Sequence, residues 1–127
     1  MMRETIFRGK RVDNGEWVYG DLIRYENGEV AILQKKFSKF GYEATELSRR
    51  IKVIPETVGQ YTGLQDKNGK QIFEWDIVEW FGRKYTVVYK EGRFIGEEEQ
   101  IIGVDEYKFI NLYGSLEVVG NVHDGVQ

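Results

Sequence analysis

Three Asn-Gly pairs punctuate this 127-residue chain, at Asn14-Gly15, Asn27-Gly28 and Asn68-Gly69. Because Asn and Gly tolerate positive φ, such pairs are typical of the type I′ turns that join adjacent antiparallel strands. Glu91-Gly92 is a weaker candidate for a turn of the same kind. The segments between these turns are predicted to be strands, at residues 5–8, 16–25, 29–33, 51–54, 76–81, 84–89, 93–95, 107–112 and 116–122.

The abundance of aromatic residues and glycine also favours β-structure: the chain has 3 Trp, 8 Tyr, 7 Phe and 15 Gly but a single Pro. Strands are enriched in aromatic residues and turns in glycine, and no helical stripe is sustained along the chain. The sequence therefore predicts a mainly β fold of short antiparallel strands. Its length predicts a single domain that covers residues 1–127.

Strand signals fade between residues 35 and 50, where polar and charged residues dominate. We interpret this segment as a long middle loop or insertion, with a short helix at 43–50 as the alternative. It would separate an N-terminal β unit, 1–34, from a C-terminal barrel, 51–127.

Composition excludes several classes of protein. The chain has no Cys, so disulfides, thiolate metal sites and a cysteine nucleophile are ruled out, and this usage is typical of the cytoplasm. There is no apolar run near ~18 residues and no basic-then-apolar leader, so we expect neither a membrane span nor a signal peptide. A net charge of −3 gives no overall field that would attract nucleic acid.

The stretch from 60 to 80, QYTGLQDKNGKQIFEWDIVEW, superficially resembles two ligand sites. As a phosphate loop it has the wrong glycine spacing, Gln71 in place of the hydroxyl residue and a strand where a helix should follow. As a calcium loop it has Asp66 and Asn68 in suitable positions, but Gly69 comes too early. Residues 66–69 are better explained as a polar hairpin turn.

No constellation of catalytic residues stands out, and we predict no catalytic site, no cofactor and no metal. His123 is the only histidine and lies near the C-terminus without an obvious partner. Glu74 and Asp76 would project to one face of a strand, a spacing that could serve acid and base catalysis but more often marks a solvated face. The run Glu97 to Glu99 is interpreted as a solvated loop tip.

The basic segment 35–52 is the one feature that suggests a ligand. Its cations alternate in part with Phe37, Phe40 and Tyr42, and cations beside aromatic rings are typical of single-stranded nucleic acid binding. The same aromatic residues could instead pack into the core, and a polar loop in an acidic protein often carries several positive charges. The candidate nucleic-acid contacts are Lys35, Lys36, Lys39, Arg49, Arg50 and Lys52.

The stretch 53–78, VIPETVGQYTGLQDKNGKQIFEWDIV, resembles the YopX family of phage and prophage proteins. The start, RETIFRGKRVDNGEWVYGDLI at 3–23, and the end, LEVVGNVHD at 116–124, agree with it, so the resemblance covers the whole chain. One departure is visible, because Trp75 stands where the family usually has Gly. If that Gly serves a turn with positive φ, Trp75 could not adopt the same backbone without cost.

The resemblance implies a small barrel or roll similar to SH3-type folds, assembly into homo-oligomers and residence in the cytoplasm of a bacterial host. It implies no molecular function and supplies no catalytic residues. A separate argument also favours a homo-oligomer, since alternation cannot place all the aromatic residues of 73–81 on one inner face. The candidate interface residues are Trp75, Trp80 and Phe81.

Three functions therefore remain as hypotheses. The first is a non-enzymatic accessory protein that acts as an oligomeric binding or scaffold module. The second is a small-barrel protein that binds nucleic acid through the basic segment. The third and weakest is a hydrolase that uses Glu74 and Asp76.

Overall fold

The computed structural model describes residues 5–34, 49–99 and 107–125. It divides into two compact units, the first formed by residues 1–60 with 125–127 and the second by residues 61–124. The described residues form eleven strands and one turn of 3₁₀ helix, Pro55–Thr57. The strands are β1 (Phe7–Lys10), β2 (Trp17–Arg24), β3 (Val30–Gln34), β4 (Arg49–Val53), β5 (Gly59–Gln65), β6 (Gln71–Phe73), β7 (Asp76–Trp80), β8 (Arg83–Lys90), β9 (Arg93–Glu98), β10 (Phe109–Asn111) and β11 (Glu117–Asn121).

The mainly β fold of short antiparallel strands is confirmed, and every predicted strand overlaps an observed one. Two strands were missed, β5 and β6, which flank the turn at Asn68-Gly69. β5 reads GQYTGLQ, and its glycines and glutamines give neither the alternation nor the β-branched content by which strands are recognised.

The predicted turn type at the Asn-Gly pairs was wrong. Type I′ requires positive φ at both central residues, but in all three pairs only the glycine has it, with φ of 72°, 89° and 81°. The asparagines at 14 and 27 instead accept a hydrogen bond on their side-chain oxygen from the backbone N–H of Glu16 and Glu29. Asn therefore serves these turns through its amide group and not through its tolerance of positive φ.

Two-residue turns with positive φ at both positions occur at Phe81-Gly82 and Glu91-Gly92. The first closes the hairpin of β7 and β8, where Trp80 pairs with Arg83, and the second closes the hairpin of β8 and β9. The weaker prediction at Glu91-Gly92 thus marks a tight hairpin. The turn at Phe81-Gly82 was not predicted, because Phe is not a residue that favours positive φ.

The first unit is an antiparallel sheet in the order β4-β3-β2-β1, with the start of β5 beside β1. The chain just after β1 returns to β4: Arg11 pairs with Val53, and the N–H of Val12 donates to the carbonyl of Lys52 over 3.1 Å. β1 to β4 thus close into a ring, as expected for a small barrel. Its core contains Val18, Val30, Ile32 and Val53.

The second unit contains an antiparallel sheet in the order β10-β9-β8-β7-β11. Consecutive tight turns generate β7 to β9, and β11 pairs with the free edge of β7 with a bulge near Val118. The rest of β5 pairs with β6 as a hairpin. The core of this unit comprises Ile72, Val78, Tyr85, Val87 and Leu116.

The middle segment predicted as a loop, 35–50, lies mostly outside the described residues, as does most of the alternative helix at 43–50. Its last two residues, Arg49 and Arg50, begin β4. The C-terminal barrel is predicted to begin at residue 51, but residues 51–60 lie in the first unit, because β4 pairs with β3 along its whole length. The strands that close into a ring are β1 to β4. Within the part of the chain that the structure describes, no helix is long and apolar enough to cross a bilayer.

Candidate functional site

The turn at 66–69 is held by the carboxylate of Asp66. One carboxylate oxygen, Oδ1, accepts hydrogen bonds from the backbone N–H of Asn68 and of Lys70, each at 2.9 Å. The other, Oδ2, accepts one from the N–H of Val118 at 2.9 Å, which fastens β11 to the turn. The polar-turn interpretation of this stretch is therefore supported, since the backbone occupies both oxygens of the carboxylate.

The pair Glu74 and Asp76 does not share one strand face. β7 begins at Asp76, and Trp75 has a φ of 74°, which interrupts the extended chain between the two carboxylates. Asp76 is 1% exposed, and its carboxylate accepts hydrogen bonds from the N–H of Phe73 at 2.8 Å and from Nδ2 of Asn121 at 3.1 Å. The geometric assumption behind the hydrolase hypothesis was wrong. Across the described ranges, no group of three or more His, Asp or Glu side chains could hold a metal ion.

Trp75 does adopt the positive φ that its bulk disfavours. Its N–H donates to the carbonyl of Val87 at 2.8 Å, and its own carbonyl accepts from the N–H of Val122 at 3.0 Å. These two bonds tie the residue to β8 and to the chain after β11, so the surrounding backbone holds it in a conformation that costs about 1–2 kcal/mol for a residue with a Cβ. Its indole ring lies edge-on to His123, with 6.1 Å between the ring centroids.

The candidate nucleic-acid contacts fall into two groups. Lys35, Lys36 and Lys39 lie outside the described residues. Arg49, Arg50 and Lys52 lie on β4 and line a groove of about 370 Å³ in the first unit, which we call the basic groove; its other lining residues are Arg11, Val12, Asp13 and Ile51.

Two of the four cations in the basic groove are already paired. The Arg11 guanidinium donates to both oxygens of Asp13 at 2.8 Å, a bidentate contact that lowers the pKa of that carboxyl. Lys52 lies 2.8 Å from Glu29, and this hydrogen bond raises the pKa of the ammonium group. Arg49 and Arg50 are exposed and have no ion-pair partner within the described part of the chain. Sequence reasoning missed Arg11 because only the closure of the ring brings it to β4.

Two of the three candidate interface residues lie together. Trp80 and Phe81 are in edge-to-face contact with centroids 4.8 Å apart, and Trp80 also contacts Tyr113 at 6.3 Å. We call these three residues the hairpin-tip surface. Phe81 is 86% exposed and Tyr113 is 46% exposed. Trp75 does not belong to this surface, because it precedes β7 and Trp80 ends it.

Comparison with known families identifies the chain. A family model described as YopX protein matches residues 6–126, nearly the whole sequence. The chain belongs to the YopX family. No curated protein matches this YopX protein.

A solved structure is similar to this chain over almost its whole length. It is the crystal structure of protein EF1440 from Enterococcus faecalis, which has 21% sequence identity and a TM-score of 0.54. The similarity covers 97% of this chain and 96% of the other. At this level of identity the comparison supports the fold.

Proposed function

We propose that this YopX protein is an accessory protein of a phage or prophage, and that it acts in the bacterial cytoplasm as a non-enzymatic binding or scaffold module assembled from several copies of the chain. The observation that supports this most directly is the placement of Phe81. Its side chain is 86% exposed at the tip of a hairpin, and its backbone has a φ of 50°.

Neither property of Phe81 benefits folding. A two-residue hairpin turn favours Asn, Asp or Gly at this position, and positive φ is a genuine outlier for a bulky residue. An exposed phenyl ring also gains little hydrophobic stabilisation within the chain. Strain and exposure at one residue are typical of functional positions. The exposed phenyl ring is therefore available for burial in an interface.

The neighbours of Phe81 give the hairpin tip the composition of an interface centre. The Trp80 ring packs against the hydrophobic core of the second unit and is in edge-to-face contact with Phe81. Trp and Tyr are the residues enriched at the centre of protein interfaces, where they supply a large rigid contact area. In the proposed assembly, the partner at this surface is a second copy of this chain.

Phe81→Asn is expected to weaken self-association while preserving the fold. The substitution creates an Asn-Gly turn, which accommodates the observed backbone better than Phe-Gly does. Loss of a central aromatic anchor costs at least about 2 kcal/mol, or about 30-fold in the dissociation constant. Light scattering on a size-exclusion column should show a multiple of 14.9 kDa for the wild type and a lower mass for the variant.

Tyr25→Asn is the matched control, because Tyr25 is also an exposed aromatic residue next to a hairpin turn, in the first unit. This variant should retain the wild-type mass. A wild-type protein that stays monomeric at high micromolar concentration would contradict the proposed assembly. A Phe81→Asn variant with unchanged mass would show that the interface does not include the hairpin tip.

Nucleic-acid binding by the basic groove is the second candidate, favoured by the two exposed arginines on β4. The groove brings together four cations, of which Arg11 and Lys52 are paired with carboxylates, in a protein whose net charge is −3. Such a local excess supplies the phosphate contacts that dominate nucleic-acid affinity. Arg49 and Arg50 carry this candidate, because Arg11 and Lys52 are already bound to Asp13 and Glu29.

The double variant Arg49→Glu/Arg50→Glu is expected to reduce affinity for a single-stranded oligonucleotide at low salt by 10-fold or more. The slope of log affinity against log salt concentration should fall by about 1 for each cation removed, because fewer counterions are released. Arg24→Glu/Lys84→Glu makes the same charge change at exposed positions outside the groove and serves as the control. Equal losses for the two double variants would show only a response to net charge, and would count against the groove.

A further inference from the structure

A second groove, in the second unit, combines cations with exposed aromatic rings. It has a volume of about 410 Å³ and is lined by Lys90, Glu91, Arg93, Ile95, Tyr107 and Phe109. We call it the stacking cleft. The volume lies in the range of small-ligand sites, roughly 300–1,000 Å³. No part of the family comparison assigns a role to it.

The two rings form a small platform. Tyr107 and Phe109 are two residues apart, so they project to the same side of the segment that enters β10. Their centroids are 5.8 Å apart and the ring planes are inclined by 33°. Tyr107 is 45% exposed and Phe109 is 44% exposed, so neither ring is consumed by the core.

Each ring of the platform lies next to one cation. The Lys90 ammonium lies 5.2 Å from the centroid of Tyr107, and the Arg93 guanidinium lies 5.3 Å from that of Phe109. Lys90 and Arg93 face each other directly across the tight hairpin of β8 and β9. A cation on an aromatic face is attracted by the ring quadrupole, so this arrangement keeps two positive charges beside two exposed rings.

Both cations keep hydrogen-bond donors for a ligand. Lys90 is bound to Glu97, which raises the pKa of the ammonium group, but an ammonium has three donors. Arg93 donates from Nη1 to the side-chain oxygen of Asn111 at 2.8 Å, and a guanidinium has five. The bonds to Glu97 and Asn111 fix the positions of the two cations without exhausting them.

We propose that the stacking cleft binds a nucleotide unit, with the base stacked on Tyr107 and Phe109 and the phosphate held by Lys90 and Arg93. Aromatic rings that accept any base, beside cations that contact phosphate, are the elements by which proteins bind single-stranded nucleic acid. An apolar peptide would offer no anion to the Arg93 guanidinium, whose side-chain hydrogen bond goes to the neutral amide of Asn111. The unit could come from a strand or from a free mononucleotide, and the experiment separates these sources. The proposal does not depend on the basic groove, which lies in the other unit.

The test compares three probes on the full-length protein by fluorescence anisotropy at low salt: a labelled oligothymidylate, an abasic oligomer of equal length, and thymidine monophosphate as competitor. In the variant Tyr107→Leu/Phe109→Leu, the apolar bulk remains and the π faces are lost. Affinity for the oligothymidylate should fall about 10- to 100-fold, because stacking on an aromatic ring contributes strongly for each base. Affinity for the abasic oligomer should stay unchanged, because its phosphates still meet both cations.

Two matched variants control this experiment. Tyr107→Phe removes the hydroxyl group and keeps the ring, so binding should be retained. Tyr89→Leu removes another exposed ring, 54% accessible and on the same sheet, and should have no effect. Circular dichroism of all variants reports whether β10 and its sheet remain folded.

The outcomes decide both the site and the source of the ligand. Competition by thymidine monophosphate at concentrations close to those of the oligonucleotide supports a mononucleotide site, whereas weak competition supports a strand. Equal losses for the thymidylate and abasic probes in the leucine variant would overturn the proposal, as would a wild-type protein that binds neither. A leucine variant that changes the mass of the protein without changing its affinity for the oligonucleotide would identify the cleft as a contact between copies.

Discussion

Replacing Gly20 by Ala is expected to destabilise the first unit by about 3 kcal/mol or more. A Cβ at this position would lie 2.2 Å from the carbonyl oxygen of Leu33 and 3.0 Å from its carbonyl carbon. Both atoms belong to the backbone of β3, so no side-chain rotation can relieve the collision. Forced overpacking of this kind costs about 1–3 kcal/mol, and more where the backbone itself must move.

The substitution is costly at Gly20 because β2 and β3 lie close together at that point. Asp21 pairs with Leu33 and Leu22 with Ile32, so a displaced β3 would disturb the central pairing of the ring and the core around Ile32. The loss is a large part of the total stability of a small domain, about 5–15 kcal/mol. The basic groove should be affected as well, because β4 is paired to β3.

Urea denaturation followed by circular dichroism measures this loss, and hydrogen exchange at the amides of β2 and β3 localises it. Gly114→Ala is the matched control, since a Cβ there meets nothing within 4 Å and its backbone φ is not positive. That variant should unfold at the wild-type urea concentration. A Gly20→Ala protein with the same urea midpoint as Gly114→Ala would contradict the close contact between β2 and β3.

The sequence predicts strands well where alternation and turn residues agree, and it fails where they do not. β7 to β9 carry apolar residues in alternation, and the turn at Glu91-Gly92 was predicted, so the positions of these strands follow from local signals although the turn at Phe81-Gly82 does not. β5 lacks those signals, and its strand conformation is set by pairing with β1 and β6. Trp75 shows the same limit at a single residue, because its positive φ is imposed by backbone bonds to Val87 and Val122 that no local pattern reveals.

The candidate sites also differ in whether local sequence signals or strand pairing brings their residues together. Trp80 and Phe81 are adjacent in the sequence, so their contact was within reach of local reasoning. The basic groove needed Arg11, which lies 38 residues before Arg49 and meets β4 only through the closure of the ring. The stacking cleft joins the hairpin of β8 and β9 to the segment that enters β10, a contact that depends on the pairing of β10 with β9. Sites formed within one element can be predicted from sequence, and sites formed by pairing need the fold.

Replacing Asp66 by Ala is expected to destabilise the second unit by about 3 kcal/mol. Its carboxylate is 6% exposed and accepts three backbone hydrogen bonds, from Asn68, Lys70 and Val118. Hydrogen bonds to a charged group contribute about 1.5–3 kcal/mol each, and the three are not additive because solvent can replace part of them. The bond to Val118 spans 52 residues, so its loss weakens the attachment of β11 to the turn, where the N–H of Lys67 still donates to the carbonyl of Leu116 at 2.9 Å.

The isosteric variant Asp66→Asn separates the turn from the attachment of β11. The amide oxygen can still accept from the N–H of Asn68 and of Lys70, but the amide nitrogen would point a donor at the N–H of Val118. The turn should therefore persist while β11 loosens, and hydrogen exchange should rise at β11 more than at β6. Asp13→Asn is the matched control, because the Asp13 carboxylate is exposed and its main partner is the side chain of Arg11.

Low pH should remove the difference in stability between the wild type and Asp66→Asn. Burial alone would raise the pKa of Asp66, but the N–H groups of Val118, Lys70 and Asn68 outweigh it and hold the pKa below the ordinary value. A carboxyl whose pKa is lower in the folded than in the unfolded state stabilises fully above its unfolded pKa of about 3.9, and this stabilisation is lost as pH falls through the folded pKa. Urea midpoints measured between neutral pH and about pH 2 should therefore converge for the two proteins at the acid end. A constant difference across that range would mean that the charge of Asp66 contributes nothing to stability. The geometry of its hydrogen bonds alone would then hold the turn.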